Sequence, residues 1–262
     1  MLIDQTNQPS RCLLIVGHPG HELRIFGWVK KMRPLAVALT DGSGHTLQPR
    51  LVASKALLMQ LGAIPSKLYG ISSDQAIYQR ILQQDADYFL SLSAAIAQLI
   101  IDYQADMVIG DAIEGYNPVH DLCRLVIDKA VSIANQSRKL TLNNYSFPLV
   151  GHPSPDQLTK SQMVLTLTSA QLAQKIQLSQ HYAKNSGDTL SSEVTHTIKQ
   201  FGESAFATEV LSCLDSQLAL ANFIDSPPFY DKYGQQQVKA GHYQEAINFK
   251  DHLLPLSKQL LP

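Results

Sequence analysis

Between Arg11 and Val150, short apolar runs alternate with longer stretches of helical periodicity. That alternation commits the chain to a mostly parallel sheet covered by helices on both faces. Strands are expected at Cys12–Val16, Leu35–Thr40, Lys67–Ile71, Met107–Ile109 and Leu140–Asn144. Helices are expected at Glu22–Lys31, Pro49–Leu61, Asp85–Tyr103 and Pro118–Asn135. The third of these carries Phe89, Leu92, Ile96, Leu99 and Ile100 at the spacing of one buried face. After Gly151 the texture changes: Met163–Thr168 reads as one further strand and Ser169–Lys184 as a Gln-rich helix. The remainder reads as helix and loop, broken at Pro227 and Pro228. The expected division is an α/β body over 11–212 with a C-terminal helical extension, 213–262, packed on it.

The 262 residues are 45% hydrophobic and 16% charged, which provides for a sizeable core and argues against disorder. With 21 Lys+Arg against 22 Asp+Glu the chain advertises no basic surface, so nucleic acid is not an expected partner. Cys12, Cys123 and Cys213 lie far apart, are odd in number and sit among apolar residues. They read as buried thiols of a reducing compartment. Met1 to Ser10 is polar, and the apolar run after it is too short to span a bilayer. No membrane association is expected, and the expected location is cytoplasmic.

The first strand runs into Gly17-His18-Pro19-Gly20-His21-Glu22, with Pro19 suited to a helix opening. His18 and His21, three residues apart where a strand ends and a helix begins, can turn both rings toward one object. A second loop, Gly110 to Asp121, leads from the fourth strand into the next helix and carries His120 behind Pro118. If the two strands are neighbours, three imidazoles converge, and three neutral nitrogens with an open position make a known form of catalytic zinc site. Other readings fall away. His21-Glu22 has Ile25 where a zincin needs its second histidine. The Gly17–Gly20 turn lacks the third glycine and the acidic partner of a dinucleotide fingerprint.

With these residues in place the sequence resembles the PIG-L/LmbE-like zinc-dependent N-deacetylases. The points of likeness are His-Pro-x-x-Glu after the first strand, Thr40-Asp41-Gly42 after the second, and Pro118-x-His120 later. Arg50 and Leu61-Gly62 also sit where that family often has them, and Gln171–Lys184 is a looser match to its late helix. The resemblance implies a Rossmann-like fold and hydrolysis of the acetamide of N-acetylglucosamine-containing substrates, with Zn2+ or another divalent transition metal as cofactor. The family's first motif is usually His-Pro-Asp-Asp-Glu, its first Asp the general base and its second a ligand. Here Gly20 replaces the base and His21 the ligand, while Asn117 and Val119 replace two residues of the usual His-Pro-Asp-His. The implied metal ligands are His18, His21 and His120.

Exchanging a ligating carboxylate for imidazole leaves a zinc site at +2 instead of +1, which acidifies bound water and lessens the need for a base. A loop carboxylate could still orient that water: Asp111 or Glu114, which share the loop with His120, or Asp41 or Asp121. Glu22 is expected to hold a ligand ring from behind. Arg50, Tyr116 and Asn117 are the candidate substrate contacts, and Asp41 also suits a plain turn. His45 and His152 lie in loops that could border the pocket. Phe229, Tyr230 and Tyr233 suit a core or interface anchor, which leaves a homo-oligomer open. The leading expectation is a metal-dependent amide hydrolase acting on an N-acyl sugar or glycoconjugate. The alternatives are a metal-retaining relative that binds without hydrolysis, and hydrolysis of an ester or a modified nucleotide amide.

Overall fold

The computed structural model describes residues 10–44, 47–138, 141–151, 162–185, 198–199 and 201–261. His45, His152 and the first residue of the expected Leu140–Asn144 strand lie outside them. The chain runs β1 (Cys12–Val16), a 3-10 turn (His21–Ile25), α1 (Phe26–Met32), β2 (Leu35–Thr40), α2 (Leu51–Gln60), β3 (Ile64–Ser72), α3 (Asp74–Leu82) and α4 (Ala86–Tyr103). It continues through β4 (Met107–Asp111), α5 (Pro118–Arg138), β5 (Asn143–Phe147), β6 (Gln162–Thr166), α6 (Ser169–Asn185) and β7 (Thr208–Ser212). The last helices are α7 (Ser216–Asp225), α8 (Phe229–Lys239) and α9 (Leu254–Leu260).

The strands form one seven-stranded sheet in the order β3-β2-β1-β4-β5-β7-β6. The first five are parallel, with Leu13 opposite Leu35 on one side and Val108 on the other. β7 is antiparallel to both β5 and β6. All five residues of β1 are buried because each face carries its own core. Leu13 and Ile15 pack with α3, α4, α5 and the C-terminal segment, whose Leu220, Phe249, Leu253 and Leu260 complete that layer. Leu14 and Val16 face the opposite layer, with Phe26, Leu58, Leu178 and Tyr182. α5 lies unusually close to the sheet at Gly110, where a Cβ would fall 2.3 Å from Ile127 Cδ1 and 2.4 Å from Ile15 O. Among the described residues no helix is long and apolar enough to cross a membrane.

Several sequence expectations are corrected. The helix expected from Glu22 begins as a 3-10 turn and becomes α-helical only at Phe26. β3 extends beyond Lys67–Ile71 at both ends, and β5 lies three residues further on than expected, over polar Asn143, Asn144 and Ser146. Within the stretch expected to be helix and loop, Thr208–Ser212 forms a strand and inserts between β5 and β6. α3 has no counterpart in the sequence reading. Cys12 and Cys123 are buried, but Cys213 is exposed at the end of β7.

Candidate metal centre

β1 and β4 are adjacent parallel strands, and here the order reverses: β2 follows β1 on one side, β5 follows β4 on the other. Ligands of open α/β sheets bind in the crevice at such a switch point. The loop after β1 carries His18 and His21, and the loop after β4 leads to His120. The structure brings these rings together, with centroids 5.3 Å apart for His18 and His21, 5.2 Å for His18 and His120, and 4.5 Å for His21 and His120.

Each loop is held by named bonds. Asn117 caps α5, its Oδ1 accepting the Val119 N–H at 2.8 Å, and Pro118 takes the first helical position. Asp121 Oδ1 accepts the N–H groups of Glu114 and Gly115 at 3.0 and 3.2 Å, closing the loop onto the helix. In the first loop Gly20 has φ 110°, a left-handed conformation that suits glycine. A Cβ there would lie 2.8 Å from Cε1 of Tyr182, so the ring from α6 fills the space that a side chain at this position would need.

Two of the three imidazoles are backed by carboxylates. His21 Nδ1 lies 2.9 Å from Asp111 Oδ2, which also accepts the Gly17 N–H at 2.8 Å. His18 Nδ1 lies 2.8 Å from Thr40 Oγ1 and 2.9 Å from Asp74 Oδ1. The Thr40 hydroxyl donates to Gly17 O at 3.1 Å, so it meets His18 as an acceptor. This network assigns a proton to Nδ1 in both rings, which directs the Nε2 edge of each away from its carboxylate. His18 Nε2 and His120 Nδ1 are buried without a hydrogen-bond partner. Burial, then the neighbouring His18, holds His21 well below the ordinary histidine value; burial, then His21 and His18, does the same for His120. These are properties a divalent cation asks of its ligands: buried ring nitrogens without partners, and carboxylates on the far side of two of the rings. The residues therefore fit the implied metal. The rings nevertheless meet edge to face, and among the described residues no set of three His, Cys, Asp or Glu groups already stands in ligating geometry.

The other candidates are distributed unevenly. Asp111 is fully buried beneath the trio, and burial pushes its carboxyl up to about 7. Glu114 accepts the N–H groups of Leu149 and Gly151 at 2.6 and 2.9 Å, so its carboxylate ties the β5 loop. Asp41 accepts the Ser43 N–H at 2.9 Å, the turn-forming use. Glu22 does not hold a ring: it accepts from Gly20 N at 2.8 Å and Tyr69 Oη at 3.3 Å. Asn117 is occupied by its cap and by the Tyr78 hydroxyl at 3.3 Å. Arg50 lies close enough for its charge to bear on His21 and Glu22, and Tyr116 is half-exposed against Phe229. Asp74 and Thr40 were not among the sequence candidates. Asp74 is preceded by Ser73, whose hydroxyl caps α3 by accepting from Ala76 N at 3.2 Å, a signal legible in principle.

No protein-family model matches the sequence, and no curated protein matches it either. Solved structures match it in fold. The zinc-inhibited form of teicoplanin deacetylase Orf2 superposes with a TM-score of 0.51 at 12% identity, over 78% of this chain and 97% of that one. A deacetylase–teicoplanin complex from the teicoplanin biosynthesis pathway gives 0.50 at 13% identity, over 79% and 100%. The A40926 pseudoaglycone deacetylase Dbv21 gives 0.47 at 14%, over 78% and 97%. At such identities a likeness speaks for architecture, and this chain has the α/β fold of the teicoplanin deacetylases.

Proposed function

We propose that this protein is a metal-dependent amide hydrolase that removes an N-acyl group, acetyl in the simplest case, from an amino sugar or glycoconjugate. The observation that carries the reading is the meeting of His18, His21 and His120 at the β1/β4 switch point, two of them braced by buried carboxylates. The fold shared with deacetylases supports it. The three imidazoles would hold the cation, which when bound supplies Lewis acidity toward an amide carbonyl and toward water. Asp74 and Asp111 fix the ligand tautomers. Asp111 Oδ2 takes two donors, so a proton on this carboxyl belongs on Oδ1, which is buried without a hydrogen-bond partner. Asp111, which touches His21 directly, is the proposed group for holding a proton beside the centre. Arg50 is the proposed contact for a substrate oxygen.

One observation favours the non-hydrolytic alternative. Tyr182 occupies the space beside Gly20, while Glu114, Asp41 and Asp121 are engaged by backbone N–H groups. Asp111 itself accepts the Gly17 N–H and contacts the trio only through Nδ1 of His21. Zinc titration of the purified chain, followed by acetate assay on N-acetylated sugars, separates the readings. Stoichiometric zinc uptake lost in His120→Ala, with acetate released only by the loaded wild type, is expected. Zinc uptake without acetate supports the alternative, and no zinc uptake refutes both.

A further inference from the structure

On α8, Tyr230 and Gly234 face the core, while Phe229 and Tyr233, one turn apart, lie on an outward face. Phe229 stacks on Tyr116 with centroids 5.2 Å apart and planes within 6°, and on Tyr233 at 5.6 Å and 23°. The result is a stair of three offset rings, with Phe229 53%, Tyr233 42% and Tyr116 41% exposed. Core packing does not account for rings left this open.

The stair is built on the loop that leads to His120. Tyr116 belongs to the loop between Asp111 and His120. Tyr78, on α3 one turn after Asp74, bonds Asn117 and lies within the electrostatic reach of Asp74, Tyr233 and Tyr243. The α8 segment is fixed to the same loop, with Tyr230 N donating to Gly115 O at 3.3 Å.

We propose that Tyr116, Phe229 and Tyr233 form a saccharide platform that takes the C–H face of a pyranose ring beside the histidine trio. This rests on the reading of that trio as a centre for N-acyl sugars. The rings step in near-parallel planes, and the two outer members carry phenolic hydroxyls. The row therefore suits a ligand apolar on one face and hydroxylated at its rim. An alkyl chain would gain nothing from the phenols and would lack an aliphatic trough. A second copy of the chain is a poorer occupant: three half-exposed aromatic rings offer roughly 300 Å2, whereas a stable interface needs about 800 Å2 from each partner.

The test is calorimetric titration of the metal-stripped protein with N,N′-diacetylchitobiose, so that hydrolysis is not the readout. Phe229→Ala and Tyr233→Ala should each weaken binding about five- to ten-fold, and Phe229→Trp should keep it within about two-fold. His120→Ala should retain the platform's contribution, which separates failure here from failure of the hydrolase reading. Both truncated side chains are half-exposed, so unchanged thermal melting serves as the fold control. Equal affinity in wild type and both alanine variants overturns the proposal, as does absence of binding to wild type. So does a wild-type dimer in sedimentation that Phe229→Ala converts to monomer, which would assign the row to a second copy.

Discussion

Gly20 and Tyr182 form an interlock whose strength can be worked out from the coordinates. Substituting Gly20→Ala places a Cβ at φ 110°, a conformation that costs an L-residue about 1–2 kcal/mol. The same Cβ falls 2.8 Å from Tyr182 Cε1, where ordinary contact begins near 3.4 Å, and overpacking of this kind adds about 1–3 kcal/mol. The expected destabilisation is therefore about 2–5 kcal/mol. In a Tyr182→Ala background the overlap vanishes and the backbone strain alone remains, about 1–2 kcal/mol. Urea denaturation of wild type, both single variants and the double variant measures the difference as a coupling energy. A Gly20→Ala cost equal in the two backgrounds to within about 0.5 kcal/mol refutes the interlock. Asp at this position, as in the resembling family, would bring the same Cβ and a carboxylate against the ring. Gly20→Asp alone is thus expected to fail as a restoration of the missing base, whereas Gly20→Asp with Tyr182→Ala gives the carboxylate room.

Two further outcomes follow from buried charge. Lys175 Nζ lies 2.9 Å from Glu209 Oε1, and that carboxylate also accepts the N–H groups of Gly27 and Trp28 at the start of α1, all in the protein interior. Lys175→Met should cost about 3–5 kcal/mol by leaving Glu209 uncompensated. Lys175→Met with Glu209→Gln should recover part of it, and a single-variant cost under about 1 kcal/mol by urea denaturation would show the carboxylate to be satisfied by α1 alone. Burial raises Glu22 from 4.5 to about 7, so between those values the folded chain binds more protons than the unfolded one. Stability should fall as pH rises through that window and level off above it. Glu22→Gln should remove a pH-dependent difference of about 3 kcal/mol, and a gap between variant and wild type that stays constant from pH 5 to 8 contradicts this.

The parts of the fold legible in the sequence are those set by local pattern. β1 and β2 are continuous apolar runs buried on both faces, and α4 shows its stripe plainly. β5 is expected three residues early and β7 not at all, because their polar residues are satisfied by partners distant in the chain. Arg124 holds Tyr145 O and Asn144 in β5, and Glu209 in β7 serves α1. The histidines were legible because each sits in a strand-to-helix turn marked by proline. Their supports divide by the same logic. Asp111 ends a recognisable strand, whereas Asp74 reaches His18 from α3, a helix of nine residues without a counterpart in the sequence reading, and Tyr182 reaches Gly20 across the layer from α6. Contacts of this kind are decided by how the layers stack, and no single stretch of chain records them.

β7 is made late yet lies inside the sheet, between β5 and β6, and its Glu209 clasps the first helix. A nascent chain that has emerged only as far as α6 therefore has β5 as an open edge, a template for wrong pairing. The amides of Gly27 and Trp28 would still await their acceptor. Closure of the sheet and completion of the first helix are thus one event, set by residues 208–212. Truncation before that point is expected to leave aggregation-prone chains, not a smaller working domain.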